Sequence, residues 1–145
     1  MQIREAAQED LIGLLELYTH LHGNPMPEPD EKLRQVWDGI LNDPNHHILL
    51  GELEGKPVCS CVTVVIPNLT RGQRPYALLE NVVTHPAHRK KGYASETLAA
   101  AAALAQKAGC YKIMLLTGAK DGSTLRFYER AGFNAKDKTA FVRWL

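Results

Sequence analysis

The chain has 145 residues, 45% of them hydrophobic and 23% charged, with a formal net charge of +1. That length carries one domain, residues 1–145, around a single core, and the near-neutral balance gives no electrostatic case for nucleic acid or an anionic membrane as partner. No apolar run reaches the ~18 residues of a membrane span, MQIREAAQED lacks the apolar stretch of a signal peptide, and an odd count of three cysteines points to a reduced, cytoplasmic chain.

Gln2 to Arg4 can form a short strand. Leu11, Leu14, Leu15, Tyr18 and Leu21 then recur at helical spacing, with Glu9 and Asp10 suited to a first turn, and predict an amphipathic helix whose stripe faces the core. Pro25, Pro27 and Pro29 break it into an extended loop. Asp30 is the expected cap of a second helix carrying Leu33, Val36, Trp37, Ile40 and Leu41, which Asn42-Asp43-Pro44-Asn45 stops. From His46 the period becomes that of strands: His46 to Leu53 and Pro57 to Ile66, about Glu54-Gly55-Lys56, read as a hairpin. Cys59 and Cys61 share a face there, but no second Cys/His pair stands at ligand spacing, so buried thiols are favoured over a metal. Pro67 to Pro75 is a polar loop with Arg71 and Arg74, and Tyr76 to Thr84 is the next strand.

That strand leads into the basic turn Arg89-Lys90-Lys91-Gly92-Tyr93-Ala94 and an alanine-rich helix ending at Gly109. The first turn of a helix has backbone N–H groups without intrahelical partners and the positive end of the macrodipole. Gly92 lets backbone approach a ligand closely, and the basic side chains add full charges, so the natural guest is a phosphate or diphosphate. Neither G-x-x-x-x-G-K-[ST] nor G-x-G-x-x-G is present, which argues against a P-loop hydrolase and a dinucleotide fold. Beyond the helix, Cys110 to Thr117 reads as a strand and Asp121 to Ala131 as a short helix. Phe133-Asn134-Ala135 and Lys138 to Trp144 are expected to close the sheet. The pattern implies an α/β (α+β) arrangement, one mixed sheet with helices on both faces.

R-x-x-G-x-A between strand and helix resembles the pyrophosphate-binding motif of the GNAT superfamily, the acetyl-CoA-dependent N-acetyltransferases. Phe127-Tyr128-Glu129-Arg130-Ala131-Gly132-Phe133 is similar to the F-Y-E-x-x-G-F segment that closes the same fold. The resemblance covers roughly Ile48 to Leu145 and implies the GNAT fold: a twisted, mostly antiparallel mixed sheet of six to seven strands with about four helices on its two faces. Its fourth and fifth strands splay, and pantetheine enters the gap. By the same resemblance, backbone groups of Val82, Val83 and Thr84 bind pantetheine, with one N–H facing the thioester oxygen. The turn Arg89, Lys90, Lys91, Gly92, Tyr93, Ala94 and Ser95 holds the diphosphate, and Tyr128 is the proton donor to the coenzyme A thiolate. Asp121 stands where the family commonly has an asparagine touching the cofactor, although an aspartate also suits a helix N-cap.

A phenol of pKa about 10 is matched to a thiol of about 8.5–9, which suits Tyr128 as donor; as an aromatic it could equally anchor the last helix. Glu80 follows the apolar Ala77-Leu78-Leu79, where partial burial would raise its pKa and make it a base; the alternative is a carboxylate that only positions the acceptor. His85 and His88 read as surface imidazoles in preference to bases. The expected reaction is transfer of acetyl from acetyl-CoA to a primary amine of a small molecule by direct attack in a ternary complex, with no metal. Gly109-Cys110-Tyr111-Lys112-Ile113, followed by the F-Y-E-x-x-G-F signature, is similar to glucosamine-6-phosphate N-acetyltransferases, and the layout also suits aminoalkylphosphonate acetyltransferases. That resemblance implies an anionic acceptor, with Arg71 and Arg74 either binding it or simply solvated. The competing functions are acetylation of proteins or peptides and a catalytically silent acyl-CoA-binding module. GNAT proteins often dimerise, which makes a homodimer the expected assembly.

Overall fold

The computed structural model describes residues 1–145. Five strands lie in sequence order across one sheet: β1 (Gln2–Glu5), β2 (His46–Leu53), β3 (Lys56–Ile66), β4 (Tyr76–Thr84) and β5 (Ile113–Leu115). The first three pairings are antiparallel and the last, β4 with β5, is parallel. A parallel neighbour requires a crossover, and the alanine-rich helix supplies it. The helices are α1 (Leu11–Tyr18), α2 (Glu31–Asn42), α3 (Tyr93–Lys107) and α4 (Gly122–Arg130).

Alternation along β2 and β3 divides the core between the two faces of the sheet. Ile48, Leu50 and Val62 point to one side, where Leu14 of α1 and Trp37 of α2 cover them. Leu49, Cys61 and Leu79 point to the other, against Leu98 and Ala101 of α3, with Phe127 and Tyr128 of α4 beside them. The small alanine side chains let α3 lie close on the sheet, and Ala101 is fully buried. No helix is long and apolar enough to cross a membrane.

Asp30 caps α2 as expected, accepting from the Leu33 N–H at 2.7 Å. Val36, expected on the buried stripe, is instead 53% exposed, because Trp37 takes the inward position and ties its Nε1–H to the Gln8 carbonyl. The hairpin turn is Glu54-Gly55, both at positive φ, with Lys56 already in β3. The strand expected over Cys110 to Thr117 shrinks to three residues, opposite Ala77 to Leu79. The strands expected after Phe133 do not form, so the sheet has five strands and not six or seven. Their alternating apolar residues pair with no strand of the sheet, and Phe141 and Trp144 are more than nine-tenths exposed. Strand propensity records the fit to a half-buried pleated surface, and this segment packs against none.

Arg4 ties β1 both to the turn before α1 and to its neighbouring strand. Its Nη1 and Nη2 donate to buried Asp10 at 2.6 and 2.8 Å, and its Nε donates to Glu52 of β2. The bond from Arg4, outweighing burial, holds the Asp10 carboxyl below its ordinary value of 3.8. A depressed folded pKa gives stabilisation that is complete above the unfolded value and lost as pH falls through the folded one. Arg4→Met should therefore lower stability at pH 7 by roughly 2 kcal/mol, less than for a sealed pair because Arg4 is partly exposed. The gap to the parent should begin to narrow below about pH 4 and close as pH falls through the lowered Asp10 value, where the carboxyl gains a proton in the parent as well. Urea unfolding at the two pH values checks this, and an unchanged gap would contradict it.

Candidate active site

The site lies where β4 and β5 part. Their pairing ends at Leu79 opposite Leu115, while β4 continues to Thr84 on β3. From Glu80 onward the β5-facing edge of β4 has no strand partner. A cavity of about 150 Å³ opens in this gap, lined by Leu79, Glu80, Asn81, Val82, the segment Leu115 to Gly118, and Tyr128, with Leu21 and His22 also on its wall.

β4 is bulged at the same place. Ser60 pairs with Val83 and Val62 with Glu80, so Asn81 and Val82 together face Cys61. Asn81 takes the left-handed conformation at φ 50°, which costs an L residue about 1 kcal/mol and which asparagine tolerates better than most. The bulge resets the alternation, so that Val82 joins the core on the α3 face while Glu80 and Asn81 are both exposed at the cavity. The expectation that Glu80 is partly buried is corrected here: the extra residue turns it outward.

Tyr128 crosses from the α4 side. Its ring packs on Phe127 and Phe133, with centroids 5.0 and 6.2 Å away, and it is half-buried. Burial first, and the charge of Glu80 second, push its phenol above the ordinary value of 10.0. The residue is thus an anchor by its ring and a cavity group by its edge.

The basic turn follows β4. Pro86–His88 forms a short 3-10 turn, which His85 caps by accepting the Ala87 N–H on Nδ1 at 3.2 Å. Arg89 folds back, its Nε donating to the Thr84 carbonyl at 3.1 Å, and Lys90 and Gly92 both have positive φ, 60° and 87°. α3 then starts with Gly92 at its N-cap and no side chain capping it, so the amides of its first turn keep their donors free. A Cβ on Gly92 would meet nothing within 4 Å, so the space in front of this helix end is open. Lys90, Lys91 and Ser95 are exposed around it, and Tyr93 and Ala94 are partly buried at its base.

Asp121 caps α4. Its Oδ1 accepts from the Thr124 N–H at 2.9 Å and from the Ser123 hydroxyl, which hold the carboxyl at about 2, the hydroxyl contributing most. Neither bond uses Oδ2. Arg74 donates to the Gly109 and Cys110 carbonyls at the end of α3, and Arg71 lies over the Tyr111 ring. Neither arginine lines the cavity.

A larger cleft, about 690 Å³, opens between α1, the start of β3 and the Pro86–His88 turn, with His20, His85, His88 and Lys56 on its wall. The three imidazoles stack edge to face in sequence, with centroids 4.7 and 5.6 Å apart. This cleft lacks the carboxylate–phenol pair that the smaller cavity contains. Sequence reasoning missed Asn81; an asparagine within an apolar strand is the one signal that could have flagged the bulge.

Comparison with known proteins agrees with this fold. The model of the acetyltransferase (GNAT) family matches residues 11–133. A glucosamine 6-phosphate N-acetyltransferase of Trypanosoma brucei brucei is 29% identical over 143 residues, spanning 95% of this chain and 92% of its own length. A structure from Agrobacterium tumefaciens str. C58, provisionally described as an acetyltransferase, is 39% identical with a TM-score of 0.92, covering 99% of this chain and 100% of that one. Glucosamine-6-phosphate N-acetyltransferase from Arabidopsis thaliana shares the fold at a TM-score of 0.85 and 22% identity, over 99% of this chain and 97% of its own. With the parted strands, the uncapped glycine-led helix and a family match over most of its length, the chain belongs to the acetyltransferase (GNAT) family.

Proposed function

We propose that the chain, acting as one folded unit from Met1 to Leu145, transfers the acetyl group of acetyl-CoA directly to the primary amine of a small molecule bound beside Glu80. Membership of the family makes it an acyltransferase with acetyl-CoA as co-substrate. The observation that carries the finer reading is the meeting of two unfilled features, the unpaired β4 edge and the uncapped α3 N-terminus. An amide-containing arm can add to a free strand edge, and a diphosphate suits free helix amides, so the residues present fit the group. Val82, Val83 and Thr84 would hold the arm through their backbone. Arg89, Lys90, Lys91, Gly92, Tyr93, Ala94 and Ser95 would hold the diphosphate, with Asp121 Oδ2 available at the start of α4. Bound there, acetyl-CoA supplies an activated acyl group.

Glu80, exposed at the cavity, takes the proton of the acceptor's ammonium, directly or through water. Tyr128 keeps its phenolic proton at neutral pH and has it ready for the departing sulfur. Direct attack is supported by the cysteines: none lines the cavity, and burial pushes all three thiols up, Cys61 to about 12, which starves them of thiolate. Free thiols also suit a reducing, cytoplasmic setting.

The Trypanosoma relative favours a phosphorylated amino sugar as acceptor. Thiol release from acetyl-CoA, followed across amino-sugar phosphates, aminoalkylphosphonates and short peptides, tests this, and turnover on the small phosphorylated amines is expected. Turnover confined to peptides, or acetyl-CoA binding without turnover on any amine, would overturn it. The chain would act as a homodimer, for which the exposed Phe141, Val142 and Trp144 offer apolar surface. Sedimentation at micromolar concentration should show a dimer that is lost when the chain is cut after Asp137; a monomeric parent would refute the assembly.

A further inference from the structure

Two buried hydroxyls beside the β4 bulge have no hydrogen-bond partner. The Tyr18 hydroxyl, carried by the last residue of α1, is sealed from solvent and unpaired. Ser60 of β3, 1% exposed and opposite Val83 next to the bulge, has an unpaired Oγ. Both lie on the α1 face of the sheet, Ser60 being two residues from Val62 in the same core cluster that Tyr18 packs against. The Tyr18 hydroxyl, whose pKa burial raises, has Ser60 Oγ and the Asn81 side chain as polar neighbours, close enough for both to draw that value down, although neither contact has the geometry of a full hydrogen bond. Asn81 is the left-handed residue of the bulge, and its side chain reaches the cavity beside Glu80. Buried polar groups in folded proteins are almost always satisfied, and a buried water typically bonds about three polar groups that would otherwise go without partners.

We propose that Tyr18, Ser60 and Asn81 hold one buried water behind the bulge, and that this water fixes the Asn81 carboxamide so that it, with Glu80, binds the acceptor amine. The buried end of the device is the hydroxyl pair; the exposed end is the carboxamide. With the water taking one side of that amide, its carbonyl is left to accept from the acceptor's ammonium. Asn81 is then a binding residue, and Tyr18 and Ser60 are positioning residues that act through it. The acceptor part rests on the acetyl-transfer reading, whereas the water site does not.

Tyr18→Phe keeps the ring and removes only the hydroxyl, and Ser60→Ala is equally small, so both variants should fold. Each should raise the acceptor KM roughly five- to tenfold, with kcat and acetyl-CoA affinity changed less than about twofold. Because both hydroxyls serve one water, the double variant should be little worse than either single one; independent roles would multiply the two factors. Asn81→Ala should raise the same KM at least as much. A high-resolution crystal structure of the free parent should show a water within hydrogen-bond distance of Tyr18 Oη, Ser60 Oγ and the Asn81 side chain, absent in the double variant. No water there, or an acceptor KM untouched by Tyr18→Phe, overturns the proposal. A chain with the water but no acetyl transfer to any amine overturns the functional reading instead.

Discussion

Replacing Tyr128 with phenylalanine should lower kcat by about two to three orders of magnitude and leave the acetyl-CoA dissociation constant within about twofold. The ring packs on Phe127 and Phe133 and loses nothing in the exchange, so the variant tests the hydroxyl alone. Burial and the neighbouring charge of Glu80 raise the phenol, so its protonated form prevails up to and beyond pH 10. A donor must hold its proton when the sulfur departs, and burial beside Glu80 favours the protonated phenol. The pH dependence takes its sign from this: kcat falls as pH rises through the raised Tyr128 value, and that alkaline limb disappears in Tyr128→Phe. Initial rates of thiol release between neutral pH and about pH 10.5, with calorimetric titration of acetyl-CoA, measure both quantities. A variant whose kcat stays within threefold of the parent would remove Tyr128 from the chemistry and leave it an anchor.

Legible and hidden features of this chain divide along physical lines. Elements specified by nearby residues were legible: the Asp30 cap, the Glu54-Gly55 turn and the Gly92 helix start each satisfy a local backbone requirement with a residue suited to it. Features that depend on a partner strand were not. Lys138 to Trp144 alternates as a strand should, yet alternation cannot say whether the segment pairs with an edge of the sheet. The exposure of Glu80 was hidden for a related reason, since a period of two predicts faces only until a bulge resets it, and the bulge at Asn81 is set by pairing with β3. The loop arginines stayed open in the sequence because solvent, carbonyl and ligand all suit a guanidinium; in the structure Arg74 donates to the carbonyls at the end of α3. The basic turn needed no partner to be recognised, which is why the proposed diphosphate end was more readable than the proposed acceptor end.

That same turn is the place where one substitution should have the largest effect on binding. Gly92→Glu should weaken acetyl-CoA affinity at least a hundredfold, for two separable reasons. At φ 87° an L side chain is strained, so the turn either relaxes and re-aims the first-turn amides or keeps its shape at a cost of about 1–2 kcal/mol. The new carboxylate also projects into the open space before the helix, where nothing lies within 4 Å of a Cβ and where the anionic diphosphate is expected. Like charges a few ångströms apart, even when screened by water, cost about 1 kcal/mol each, and more near the low-dielectric protein surface. Gly92→Ala isolates the first contribution: it should lose roughly tenfold, with the remainder of the glutamate effect salt-dependent as a charge repulsion must be. Gly92 is exposed and touches no core side chain, so the melting temperature should move far less than the affinity. Titration of both variants at low and high salt decides the matter. Undiminished acetyl-CoA affinity in Gly92→Glu would mean that the diphosphate binds elsewhere, and that the free amides of α3 serve only solvent.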